Sequence, residues 1–183
     1  MKKSSKPFKW PGLTSVTSTT TALNSLDDTR ALAETLAARL RCGDVVTLAG
    51  DVGAGKTTFA QFLIQTLSAT EVEVTSPTFT LLQTYPVTLK DGYACELYHY
   101  DLYRIEHESA LVELGLEDAV SQVALIEWPE RLGSTQLPIT LALSFTLAKD
   151  GARSVTLMGD ANRWSDLYDF SVKTSSPESR ERL

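Results

Sequence analysis

Cysteine and histidine are scarce in this chain, with two of each in 183 residues. Cys42 and Cys95 form no CxxC pair and show no metal-ligand spacing with His99 and His107. A zinc centre is therefore not expected, and both cysteines read as reduced structural thiols. No apolar run approaches the roughly 18–20 residues needed to span a bilayer, so no membrane role is expected. Positive charge is also short: 17 Lys and Arg against 23 Asp and Glu give a formal charge of −6. That balance argues against a large nucleic-acid footprint on the protein itself. Arginine is missing before Arg30, and the first twenty-one residues hold four lysines among many Ser and Thr, without a continuous apolar segment. This start fits neither a transit peptide nor a secretory signal, and it reads as a flexible basic tail on a cytoplasmic protein.

What is present is a phosphate-binding signature. Gly50-Asp51-Val52-Gly53-Ala54-Gly55-Lys56-Thr57 fits G-x-x-x-x-G-K-[ST], with a second hydroxyl at Thr58. Glycines let successive backbone N–H groups turn inward around a polyphosphate. Lys56 supplies a compact charge for the β- and γ-phosphates, and Thr57 offers a hydroxyl to Mg²⁺. The context agrees. Asp44 to Ala49 reads as a buried strand, and Phe59, Phe62, Leu63 and Leu67 recur at helical spacing after the loop. Val52, Gly53, Ala54, Gly55, Lys56, Thr57 and Thr58 are thus the expected contacts for ATP.

The remaining pattern predicts one three-layer α/β domain of the P-loop NTPase kind, its mixed sheet having a parallel core and antiparallel additions. Ser25-Leu26-Asp27-Asp28 has the form of a capping box, followed by Leu32, Leu36 and Leu40 on one helical face. Arg39 and Arg41 are expected in that helix's last turn, with Gly43 closing it. Val72 to Val74 and Leu81 to Tyr85 read as extended, and Asp91-Gly92 as a hairpin turn leading into Ala94 to Asp101. One or two short helices are expected between Glu106 and Val120, broken near Gly115. Val123 to Ile126 forms a second buried strand, and Ile139 to Ala148 with Val155 to Met158 a closing hairpin. Residues 1–24 are expected as a flexible tail, 25–160 as the ATPase domain, and 161–183 as a partly disordered extension.

A P-loop needs a carboxylate near Mg²⁺, and Glu127 ends the second apolar strand where ligands gather in open α/β sheets. A plain surface acid at a strand end is the alternative. Asp101 sits in an aromatic stretch and can orient the attacking water, or else serve a local turn or pair with Arg104. Thr78 in Ser-Pro-Thr is either a γ-phosphate sensor or ordinary turn chemistry. Trp128 reads as packed or as a nucleotide or partner contact. Glu106, Glu108, Glu113, Glu117 and Asp118 read as a solvated face.

Taken in order, several blocks resemble the TsaE (YjeE) family of bacterial P-loop ATPases. They are the loop through Phe59, Ser76-Pro77-Thr78-Phe79-Thr80-Leu81, His99-Tyr100-Asp101-Leu102-Tyr103-Arg104, Glu113-Leu114-Gly115-Leu116 and Ile126-Glu127-Trp128-Pro129-Glu130. The resemblance covers roughly Ser25 to Gly159. It implies an ATPase needed to make N6-threonylcarbamoyladenosine at position 37 of tRNAs that read codons beginning with A. It implies a TsaB–TsaD heterodimer as partner, with tRNA met only through that complex. By the same likeness Lys56, Asp101 and Glu127 are catalytic, and Thr57 and Glu127 hold Mg²⁺. Thr78 lies in a switch-like segment, and Gly151, with Asp28 and Thr29, falls where the family meets its nucleotide. Two rival classes stand beside this reading. A small-molecule or nucleotide kinase would need an arginine-rich lid, whereas Arg104 and Arg131 are isolated. A GTP-dependent switch would need Asn-Lys-x-Asp, which neither Asn24 nor Asn162 supplies.

Overall fold

The computed structural model describes residues 16–70 and 72–170. In chain order the elements are β1 (Val16–Leu23), α1 (Leu26–Ala37), β2 (Val45–Ala49), α2 (Lys56–Leu67), β3 (Leu82–Thr88) and β4 (Ala94–Asp101). A 3₁₀ helix, Glu108–Leu114, leads to α3 (Leu116–Ala119) and β5 (Val123–Glu127). A second 3₁₀ helix, Pro129–Leu132, precedes β6 (Ile139–Leu147), β7 (Arg153–Asp160) and α4 (Ser165–Tyr168).

Among the described residues the strands form one seven-stranded sheet in the order β1-β7-β6-β2-β5-β4-β3. Strands β6, β2, β5 and β4 run parallel, while β7, β1 and β3 add antiparallel pairs at the edges. The expected mixed sheet with a parallel core is what the chain builds. The inner strands are apolar at successive positions because both their faces are covered. Val46, Leu48, Val123 and Leu125 pack on one side with α1 and α2, while Val45, Ala124 and Ile126 pack on the other with Leu111 and Leu116. Three layers follow from that alternation.

The helix ends obey local chemistry. Ser25 Oγ accepts from the Asp28 N–H at 3.1 Å, and Asp28 Oδ2 accepts from the Ser25 N–H at 3.0 Å, which completes the capping box. Leu32, Leu36 and Leu40 are buried as their spacing predicts. The helix stops at Ala37, however, so Arg39 and Arg41 lie beyond its last turn. Gly43 instead donates to the Gln122 carbonyl at 2.6 Å and turns the chain into β2. Val72 to Val74 joins no strand; the Val74 carbonyl accepts from Gln61 Nε2 at 2.9 Å. Cys42 and Cys95 are free and pack side by side on the core, and burial beside Cys42 pushes the Cys95 thiol up to about 12. No helix among the described residues is long and apolar enough to cross a membrane.

Two expected boundaries move. The supposed N-terminal tail contains β1, whose residues Val16 to Leu23 pair with Asp160 to Arg153; residues 1–15 lie outside the described region. The strand is threonine-rich because it is an edge strand with little to bury, and β-branched residues suit it. The supposed C-terminal extension likewise joins the core up to residue 170, and only 171–183 lie outside the described region. Trp164 is fully buried and donates its indole N–H to the Thr140 carbonyl at 2.9 Å. The Tyr168 hydroxyl lies 2.8 Å from the carbonyl oxygens of both Thr17 and Gly159, sharing its one proton and tying α4 to the strand pair.

Replacing Trp164 with Ala should therefore lower the unfolding free energy by about 3–5 kcal/mol, the range for a large aromatic cut from a core. Urea denaturation measures it; a loss below about 1 kcal/mol would mean that the segment is peripheral.

Candidate functional site

The chain leaves β2 at Ala49, turns through residues 50–55, and starts α2 at Lys56. Glycine is required at Gly50 by crowding, since a Cβ there would stand 2.3 Å from the Phe145 carbonyl oxygen on β6. At Gly55 it is required by conformation: this residue precedes α2 at φ +112, and open space surrounds the place of its missing Cβ. The first N–H groups of α2 and the loop's exposed Val52 and Gly53 therefore border a space that an anion can enter.

Lys56 is buried at this junction. Its Nζ donates to the carbonyls of Gly50 at 2.7 Å and Asp51 at 3.0 Å, and lies 4.0 Å from the centre of the Trp128 ring. Burial pushes the amine below its usual 10.5, against the opposing attraction of Glu127, Glu130, Asp101 and Asp51. Trp128 is half-buried with φ +60, and its ring meets Tyr103 at 4.9 Å between centres.

Register brings the acids to the loop. Glu127 pairs with Leu48 on β2 and with Asp101 on β4, so all three strands end together at their carboxyl ends. Glu127 is 1% exposed, and its Oε2 accepts the Thr57 hydroxyl at 3.0 Å while its Oε1 lies 3.0 Å from His99 Nε2. Asp101 is also buried. Its Oδ2 accepts the hydroxyls of Thr78 at 2.6 Å and Ser76 at 3.1 Å, and its Oδ1 accepts the Tyr103 N–H at 3.0 Å. Arg104 instead lies over the exposed ring of Phe79, at 5.1 Å.

Lys56, Thr57, Thr78, Asp101 and Glu127 thus meet at one end of the sheet. A cavity of about 200 Å³ opens beside the loop, lined by Gly53, Ala54, Gly55 and Thr58 together with Ser25, Thr29 and Arg153. Gly151 sits exposed in the β6–β7 turn and is not among the lining residues; Arg153, two positions later, is. The Asp28 carboxylate is occupied by the cap of α1. Sequence reading passed over Ser76, His99 and Arg153. The first two carried a signal, for each stands two residues before a chosen one, Thr78 and Asp101, and His99 shares a strand face with Asp101.

The donor set fits Mg²⁺. Among the described residues no three His, Cys, Asp or Glu side chains converge on one point, so no all-protein metal cage exists. Thr57 and Glu127 offer hard oxygens from one side only. Mg²⁺ binds in that manner, completing its shell with water and phosphate oxygens.

Known proteins resemble this chain over most of its length. Residues 23–155 match the family described as "Threonylcarbamoyl adenosine biosynthesis protein TsaE". A Bacillus subtilis protein named tRNA threonylcarbamoyladenosine biosynthesis protein TsaE is 40% identical over 146 residues, covering 78% of this chain and 87% of its own. The Rickettsia felis protein of the same name is 35% identical over 149 residues, covering 81% and 84%. The crystal structure of Bacillus subtilis YdiB superposes with a TM-score of 0.62 at 31% identity, covering 85% of this chain and 94% of its own.

Burial of Lys56 has a measurable signature. With its folded value below the unfolded 10.5, the folded protein holds fewer protons than the unfolded chain across that interval. The cost of the buried charge is fully present below the lowered value and is lost as pH rises toward 10.5. Urea titrations of the wild type and Lys56→Met, from neutral pH upward, should show the difference moving in favour of the wild type. A pH-independent difference would contradict the assigned burial.

Proposed function

The chain belongs to the TsaE family, whose proteins serve tRNA threonylcarbamoyladenosine biosynthesis, and on that premise we propose that it is a Mg²⁺-dependent ATPase. It acts with a TsaB–TsaD transferase in forming threonylcarbamoyladenosine at position 37 of tRNAs reading codons beginning with A. The observation that carries this reading is the hydrogen bond from Thr57 on the P-loop helix to the buried Glu127, with Asp101 as its register partner on the neighbouring strand. A phosphate-binding loop alone binds; a loop coupled to two buried carboxylates can also hydrolyse.

Each group has a distinct task. The backbone N–H groups from Val52 to Thr58 receive the phosphates, and Lys56 exchanges the Gly50 and Asp51 carbonyls for phosphate oxygens. Thr57 and Glu127 would hold Mg²⁺, which when bound neutralises charge on the phosphoryl oxygens. Asp101 orients the attacking water, with Thr78 and Ser76 fixing its carboxylate from the adjoining loop. The cavity by Ser25, Thr29 and Arg153 accommodates the nucleoside end. No arginine among the described residues donates a hydrogen bond in the Lys56–Glu127–Asp101 cluster, so basal turnover is slow and a partner surface completes the site.

Phosphate release from ATP without any acceptor is the direct test. Asp101→Ala and Glu127→Ala should each cut turnover by about 100-fold or more while the circular-dichroism spectrum stays native. Lys56→Ala should abolish nucleotide binding or hydrolysis. Phosphoryl transfer to a small molecule with no basal release, or a strong preference for GTP, would overturn the ATPase reading. Reconstitution with TsaB and TsaD, scored by threonylcarbamoyladenosine in tRNA, tests the pathway role separately.

A further inference from the structure

His99 touches the cluster, and the proposed mechanism leaves it idle. It is fully buried on β4, two residues before Asp101 and on the same face of the sheet. Its Nε2 lies 3.0 Å from Glu127 Oε1, and its Nδ1 has no hydrogen-bond partner. A carboxylate only accepts, so the hydrogen of this contact sits on Nε2. An apolar side chain of similar size would fill the same volume without an unpaired nitrogen. What imidazole adds is a single directed N–H on one carboxylate oxygen.

Register shows why direction matters. Asp101 and Glu127 are partners on adjacent parallel strands, about 4.8 Å apart along the hydrogen-bonding direction. Like charges on neighbouring side chains of one sheet face disfavour each other's charged form, and hydrogen-bond donors offset this. Asp101 has three, from Ser76, Thr78 and Tyr103. Glu127 has Thr57 on Oε2 and His99 on Oε1, the latter two register positions back beside Leu125. We propose that His99 is a positioning residue for the metal-side carboxylate: it holds Glu127 Oε1 so that Oε2 stays on the Thr57 hydroxyl, where Mg²⁺ is to be shared. This rests on the Mg²⁺ reading above and adds to it a supporting residue behind the ligand.

The test compares His99→Leu, which removes the N–H, with His99→Gln, which can return an amide N–H to the same oxygen. Mn²⁺ serves as the probe, its affinity measured by electron paramagnetic resonance with a non-hydrolysable ATP analogue. Nucleotide affinity in EDTA and thermal unfolding are measured in parallel. His99→Leu should weaken Mn²⁺ binding by about 10–100-fold and leave nucleotide affinity in EDTA unchanged, and His99→Gln should recover most of the loss. A folded His99→Leu with wild-type Mn²⁺ affinity, or with an equal loss in EDTA, overturns the proposal. So does a folded His99→Gln that binds Mn²⁺ no better than His99→Leu, or the failure of both variants to fold. Wild-type protein that binds the nucleotide analogue but no Mn²⁺ would overturn the Mg²⁺ reading itself, whatever the variants do.

Discussion

Glu127 is the point on which this structure turns. A carboxylate with 1% exposure must find donors inside the protein, and here they come from two other elements, Thr57 on α2 and His99 on β4. One acid thereby fastens the first turn of the P-loop helix to the centre of the sheet. The loop between β2 and α2 is held at both ends, by the sheet at Ala49 and by this hydrogen bond at Thr57. Gly50 adds a third constraint through its close approach to Phe145. The two ends of the loop are therefore fixed by the fold.

The chain immediately after Glu127 carries that order outward. Trp128 still donates its N–H to the Leu48 carbonyl at 3.1 Å, but its φ of +60 then breaks the strand direction. A bulky residue in this conformation costs on the order of 1–3 kcal/mol and persists only where its surroundings hold it. Pro129 contributes by disfavouring the right-handed helical conformation for the residue before it. The outcome is an indole laid over the Lys56 ammonium and against Tyr103. Lys56 thus meets two carbonyls and a ring face, each a modest interaction.

Local signals in the sequence reported local structure faithfully. Ser25 and Asp28 announced the start of α1, Asp91-Gly92 the β3–β4 turn, and the apolar runs before Gly50 and Glu127 the two inner strands. What stayed hidden depends on partners far away in the chain. β1 has a polar sequence because it lies at the sheet's edge, so no alternation marks it, and only β7 makes it a strand. Trp164 belongs to the core through Thr140, a residue it cannot be paired with by pattern. The site divides along the same line. Lys56 and Thr57 were legible as a motif and Glu127 as a strand end, but the 3.0 Å contact of His99 follows from β4–β5 register, which no local pattern encodes.

Charge around the loop bears on how the proposed reaction would begin. Lys56 faces Glu127, Glu130, Asp101 and Asp51, and its burial weakens its hold on a proton. A polyphosphate arriving alone would meet more negative charge than this one ammonium and the α2 dipole offset. On the proposed reading the same acids would favour a nucleotide whose phosphates already carry Mg²⁺, because Thr57 and Glu127 would offer oxygens to the cation while the N–H groups receive the phosphates. Metal and nucleotide would then bind best as one ligand, the acidity favouring the complex over free ATP. The exposed rings of Phe79 and Tyr103 border the Asp101 side of this cluster. On the proposed reading, a basic group from a partner docking there would add to the positive charge that Lys56 brings to the transferring phosphoryl.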